Sequence, residues 1–303
     1  MPEVSIVIVC MNRPDILFPC LESIRVQNTV TCECWVVAYL FSPGNLQELK
    51  EKFPWVKVVE SNELRGFSEN NNLALTQAQG KYCFILNDDT LMAMPVIDAL
   101  VRDLEKLPEH AAAISPCICF ADGRVQTCGR APWTVWRYVK HYLHMVDETR
   151  PSLWSMKPGL FRTYTLNGAC FLIKTEVFRK VDWFDERFFF TPEDIALGHK
   201  LNDAGYSVWT DADVDITHFA GGSVSAIEAA IKPARVRGSL LFYGEPIGLK
   251  CFIWCFEALR VCKYAFLPRS PRNILMRKTA QNVMQTAFSN ATPKELFIRY
   301  RNE

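Results

Sequence analysis

The first third of the chain alternates short apolar, β-branched runs with segments of helical period, and this pattern constrains the fold more than any other. Val4–Cys10 is the first such run; Arg13–Gln27 then opens at Pro14 and repeats Ile16, Leu17, Leu21 and Ile24 at helical spacing. Trp35–Leu40 is the next run, followed by Pro43-Gly44 and a short helix to Phe53, a third run at Val56–Val59, a helix over Ser68–Gln79 stopped by Gly80, and a fourth run at Tyr82–Leu86. A helix at Val96–Leu107 and a strand near Ala112–Cys117 extend the series. The pattern predicts an α/β fold with a mostly parallel sheet covered by helices on both faces. Ligands of such sheets sit beyond the carboxyl ends of the strands, where Asn12, Asn87 and Asp89 emerge.

The run KYCFILNDDT at Lys81–Thr90 sends an apolar strand straight into Asn87, Asp88 and Asp89. Two acids crowded at a sheet rim repel each other unless something positive neutralises them, and a divalent cation carrying a diphosphate is the obvious candidate. That points to a nucleotide-sugar site. The same four residues, Asn-Asp-Asp-Thr, are also good turn and N-cap chemistry, so the pattern needs support from elsewhere in the chain.

Periodicity is lost over Ala121–Thr163, a segment rich in Trp, Tyr, His and Arg that suits sugar or lipid contact or a packed excursion. It returns over Tyr164–Ile173, with a helix at Lys174–Val181, a helix through Ile195–Leu201 stopped at Gly205, and short strands at Tyr206–Thr210 and Asp213–Thr217 that end at His218 and Gly221-Gly222. Pro246–Leu267 places Lys250, Glu257, Arg260 and Lys263 near one helical stripe, with a wide apolar face around the remainder. Such a helix lies in a membrane interface, or packs internally or in a homodimer.

Composition excludes some classes. With 34 basic against 33 acidic residues in 303, the net charge of +1 offers no field for gripping nucleic acid. The 12 cysteines are scattered through apolar runs and read as reduced core thiols; Cys32/Cys34 and Cys117/Cys119 lack a His partner at zinc-ligand spacing. The N-terminal MPEVSIVIVCMNRPD reads as a first strand and not as a signal peptide, which predicts a cytoplasmic protein, either free or peripheral on the membrane. No window reaches the ~18 uncharged apolar residues of a spanning helix.

The strings VSIVIVCMNRPDIL, RGFSENNNLAL, KYCFILNDDT, LNGACFLIKTEVF, FDERFFFTPEDIALGHKLNDAGY and HFAGGS occur in this order. Together they resemble inverting family 2 glycosyltransferases of GT-A fold, closest to the rhamnosyltransferase-like branch. The resemblance covers Val4–Ser223 and implies a GT-A domain over 1–223, with 224–303 as a C-terminal helical extension.

The resemblance also assigns roles. Asp89 matches the last acid of the metal motif, where hard carboxylate oxygen suits Mg²⁺ or Mn²⁺ bridging two phosphates, and His218 matches a histidine that approaches the same cation. As plain structure, His218 is an ordinary residue after a strand. Asp194 matches the general base, with Glu193 the fallback; without the resemblance, two acids at a helix N-terminus simply favour its dipole. Asn12, Arg13, Arg65, Gly66, Asn72 (or Asn71), Asn87, Asp88, Asn167 and Gly168 are the donor-binding candidates. Arg13 and Arg65 would meet phosphate or base, Gly66 would permit close backbone approach, and Asn167-Gly168-Ala169 would line donor sugar and acceptor.

Three positions depart from the family pattern. Ala38-Tyr39-Leu40 stands where relatives carry an acid that reads the nucleobase, Arg65 stands where Asn is common, and Ala196 replaces a second Asp. The function implied is metal-dependent inverting transfer of a sugar, with dTDP-rhamnose one candidate donor, to a glycan or lipid-linked acceptor. The alternative is a non-catalytic sugar-nucleotide or glycan-binding protein that keeps the fold.

Overall fold

The computed structural model describes residues 2–219 and 227–301. The expected strand and helix series is present: β1 (Val4–Met11), α1 (Pro14–Gln27), β2 (Cys32–Tyr39), α2 (Pro43–Lys52), β3 (Val56–Ser61), α3 (Phe67–Leu75) and β4 (Tyr82–Asn87). Local chemistry sets the helix starts. Pro14 opens α1, the Ser42 hydroxyl accepts from Asn45 N at 3.3 Å to cap α2, and Glu69 Oε2 accepts from Gly66 N at 2.7 Å to close α3. α3 ends four residues before the expected Gln79, in a turn rather than at Gly80.

Beyond β4 come β5 (Thr90–Leu91), α4 (Val96–Lys106), β6 (Ala111–Cys119), β7 (Val125–Thr127), α5 (Val135–Tyr142), β8 (Leu160–Thr163), β9 (Cys170–Lys174), α6 (Thr175–Lys180), α7 (Glu193–Asp203) and β10 (Ser207–His218). The aperiodic segment 121–163 therefore contains two short strands, β7 and β8, and a helix, α5. The two strands expected at 206–210 and 213–217 are one strand, β10, interrupted by a register shift between Asp211 and Asp215.

The described strands form one sheet in the order β3-β2-β1-β4-β9-β6-β10-β5, with β7 on β6 and β8 on β10. β3, β2, β1 and β4 are parallel, as the alternation predicts. β9 then enters antiparallel between β4 and β6, so the sheet as a whole is mixed. Side chains alternate across it: Ile6 and Ile8 of β1 join Leu17, Leu21 and Leu100 on one face, while Val7 joins Leu75, Phe178 and Leu201 on the other.

Four further helices follow: α8 (Glu228–Phe242), α9 (Ile247–Phe266), α10 (Pro271–Thr286) and α11 (Pro293–Arg301). They pack on the edge that carries α5 and the start of α7. Trp133, Tyr138 and Ile195 share a cluster with Leu249, Ile253 and Val283, and Phe189 packs at a tilt against Phe297 with centroids 5.3 Å apart. Among the described residues no helix is long and apolar enough to cross a membrane.

Candidate active site

β4 delivers Asn87, Asp88 and Asp89 to the sheet rim, and β10 ends there at His218. β5 pairs antiparallel with β10 so that His218 lies opposite Thr90, and Phe219 N donates to Asp89 O at 2.9 Å. This register carries the imidazole to Asp89: His218 Nε2 is 3.1 Å from Asp89 Oδ1 and 3.3 Å from Asn87 Nδ2. The other ring nitrogen, Nδ1, lies 2.8 Å from Gln126 Oε1, which only accepts, so Nδ1 carries the hydrogen. In a neutral ring Nε2 then presents a lone pair to a carboxylate oxygen. That contact is repulsive unless a proton or a cation lies between the two atoms.

Among the described residues, no three His, Cys, Asp or Glu side chains converge to hold a metal. Asp89 and His218 offer two donors, which fits a divalent cation that takes its remaining ligands from a diphosphate and water. Asp88 turns away toward Cys10. Burial raises its carboxyl to about 6, the charge of Asp89 adding to the rise and the Cys10 thiol and the Arg13 charge opposing it. Gly221, Gly222 and Ser223 of the final motif lie outside the described residues.

The second half of the site stands at the N-terminus of α7. Gly198 seats this helix: a Cβ there would lie 2.7 Å from Thr165 Cα, so α7 approaches the 165–169 strand entry closely. Asp194 Oδ2 accepts from Gly168 N at 3.1 Å and from Arg130 Nη1 at 2.8 Å, and the same Nη1 donates to Leu166 O at 2.9 Å. Glu193, by contrast, is buried, with Oε2 lacking a hydrogen-bond partner. Burial first, then the Asp194 charge, push its carboxyl well above the usual range. Of the two adjacent acids, Asp194 is the one held at the site by an ion pair.

The two halves meet in Asn167-Gly168-Ala169. Asn87 N donates to Ala169 O at 2.9 Å while Gly168 N holds Asp194, and Asn167 Oδ1 braces the turn by accepting from Ala169 N at 3.0 Å. Asn87, Asp89, His218, Asn167, Gly168 and Asp194 are thus brought together.

The other candidates are committed elsewhere. Asn12, at φ 51°, accepts from Ser42 N and Asn45 Nδ2, both at 2.9 Å. Arg13 pairs with Asp15 at 2.8 Å, and Arg65 with Glu63 at 2.7 Å. Gly66 does permit a close approach, but of protein: a Cβ would lie 2.4 Å from Phe189 O. Asn71 bonds back to Phe67 O, and the buried Asn72 donates to Phe184 O at 3.0 Å and Glu186 Oε1 at 2.9 Å. Tyr39, at the position where the resemblance leads one to expect an acid, accepts from Arg65 N at 3.2 Å.

Arg130 and Gln126 are site residues that sequence reasoning missed. Both come from the aperiodic 121–163 segment, whose wealth of Arg and aromatic residues was the one signal available.

Comparison with known proteins identifies the family. The model of Glycosyl transferase family 2 matches residues 5–180, and the chain belongs to that family. A Myxococcus xanthus O-antigen biosynthesis protein, RfbC, is 26% identical over 237 residues; these are 73% of this chain and 18% of the relative, so the chain spans under a fifth of that protein's length. The N-acetylglucosaminyl-diphospho-decaprenol L-rhamnosyltransferase of Mycobacterium tuberculosis is 22% identical over 67% of this chain and 71% of its own. Two solved structures share the GT-A fold. GalNAc-T7 with UDP, GalNAc and Mn²⁺ aligns with TM-score 0.59 at 17% identity, over 83% of this chain and 54% of that one. A Pyrobaculum calidifontis mannosyltransferase in complex with GDP-Man and Mn²⁺ aligns with TM-score 0.55 at 15% identity, over 99% and 79%.

Proposed function

We propose that the protein is a metal-dependent, inverting glycosyltransferase that moves a sugar from a nucleoside-diphosphate donor to a hydroxyl of a glycan or lipid-linked acceptor. The observation that carries this reading is the single tripeptide that joins Asp194 to the Asp89–His218 pair. Asp89 and His218 would hold Mg²⁺ or Mn²⁺, which supplies charge neutralisation for the departing diphosphate. Asp194 takes the proton of the acceptor hydroxyl as its oxygen attacks the anomeric carbon from the face opposite that leaving group. Gly168 N–H and Arg130 keep the carboxylate aimed, and Asn167 fixes the turn that carries Gly168. The mycobacterial relative's name supports rhamnose as the sugar moved and a diphospho-lipid-linked acceptor.

Two observations favour the alternative of a non-catalytic sugar-nucleotide-binding protein. Arg130 already satisfies one oxygen of Asp194, and Ala196 stands where the family pattern has an acid. Asp194→Asn separates the two readings. An enzyme keeps its donor affinity, measured by calorimetry with UDP-, GDP- and dTDP-sugars with and without Mn²⁺, and loses turnover; a parent protein that binds donor yet transfers no sugar to any acceptor refutes catalysis.

A further inference from the structure

α9 is built inside out. Its inward face carries the charges: Glu257 is fully buried, accepts from Arg260 Nη1 at 2.8 Å, lies 3.4 Å from Lys232 Nζ and bonds the Tyr142 hydroxyl, while Lys250 pairs with Glu245 at 2.6 Å. Its outward face is apolar. Ile247 is 67% exposed, Trp254 43%, Leu259 71% and Phe266 91%, and the exposed Cys251, Cys255 and Cys262 fill the positions between them at helical spacing. The stripe runs the length of the helix, about 30 Å at 1.5 Å per residue. Ile274 of α10, 58% exposed, lies just across the α9–α10 turn. A surface of this extent marks an interaction site.

The charges around the stripe say what covers it. From Ala258 to Lys294 the sequence has no Asp or Glu. Lys263, Arg269, Arg272 and Arg277 are exposed on the hairpin, and none pairs with a carboxylate among the described residues. A groove lined by Leu267, Arg269, Arg277 and Lys278 opens at the turn. A second copy packed stripe to stripe would bring two such basic hairpins together. An anionic bilayer instead accepts the apolar stripe and neutralises the basic rim.

We infer that the outer face of α9, with the α9–α10 turn, docks the protein in the plane of a membrane bearing anionic lipid. The helix lies along the interface. Its inner face packs through Leu249 and Ile253 in one cluster with Ile195, the neighbour of Asp194, so docking sets the bilayer about one helix diameter from the base side of the site.

Vesicle co-sedimentation of the full chain tests this without reference to sugar transfer. The protein is expected to sediment with vesicles of phosphatidylcholine plus phosphatidylglycerol, to stay in solution with phosphatidylcholine alone, and to be released by raised salt. The double variant Leu259→Ser/Phe266→Ser, at exposed positions, should keep the parent's thermal midpoint and lose at least about tenfold in vesicle partitioning. Arg269→Glu/Arg272→Glu should lose binding by a comparable factor. The inference is overturned if the parent stays in solution with both vesicle types, whether as a monomer or as a dimer that the Ser variant dissociates. It is equally overturned if it binds both vesicle types alike, or if neither variant changes binding.

Discussion

Arg130→Met tests whether the candidate base is held by charge. Arg130 and Asp194 are 15% and 14% exposed, and their ion pair is 2.8 Å long. At an effective dielectric constant of about 20, that separation corresponds to a gross attraction of about 6 kcal/mol, part of which is consumed by desolvating both groups. Methionine keeps most of the side-chain volume and removes the guanidinium. It leaves the Asp194 carboxylate with Gly168 N–H and its own helix start, and leaves Leu166 O without its donor. Uncompensated buried charge of this kind costs about 3 kcal/mol. In a chain of this size the thermal midpoint should fall by about 6 °C.

Turnover should fall with it, by about a hundredfold, because a carboxylate displaced by about 1 Å no longer meets the acceptor proton. The decisive measurement is the double variant Arg130→Met/Asp194→Asn, followed by thermal denaturation. If the penalty is the stranded charge, replacing that charge with an amide recovers at least about 1 kcal/mol of the loss. Strictly additive losses, or an Arg130→Met protein with the parent's midpoint and turnover, would refute the reasoning.

Gln126 orients His218, so Gln126→Ala should weaken Mn²⁺ binding in the presence of a nucleoside diphosphate by about 10- to 100-fold, read by paramagnetic resonance of the free ion. Burial and the Asp194 charge raise the Glu193 carboxyl, so the folded chain keeps a proton that the unfolded chain releases near the ordinary value of 4.5, and stability falls as pH rises above it. Glu193→Gln removes that slope: its thermal midpoint relative to the parent should rise between pH 4.5 and neutral pH, and a pH-independent difference would contradict the burial argument. Gly66→Ala sets a methyl 2.4 Å from Phe189 O and should cost about 1 to 3 kcal/mol in denaturant unfolding.

What was legible in the sequence shares one property, namely that a local pattern decides it. β1 to β4 and the helices between them follow from period and punctuation, and Asn87, Asp89 and His218 emerge at the rim because strands end there. Arg130 and Gln126 obey no such rule. Their positions depend on β7 pairing with β6 and on the bridge between Arg130 and Thr165, contacts between segments far apart in the chain. α9 shows the same limit in another form. Its period separates a charged stripe from an apolar one, but which of them faces inward depends on Tyr142 and Lys232, which supply the partners that make a buried Glu257 tolerable.

The antiparallel entry of β9 explains why the site can exist at this rim. A fifth parallel strand beside β4 would end here, and its first residues would lie at the far side of the sheet. Because β9 runs the other way, with Leu86 opposite Cys170, the residues that precede it arrive where β4 leaves. The tripeptide 167–169 can then bond Asn87 with one backbone group and Asp194 with another. The spacing between the candidate cation site and the candidate base is therefore set by the backbone groups of Gly168 and Ala169, which a side-chain substitution at 169 leaves in place. In the proposed in-line displacement, that spacing is the quantity to be held, since base and leaving group would act on opposite faces of one carbon.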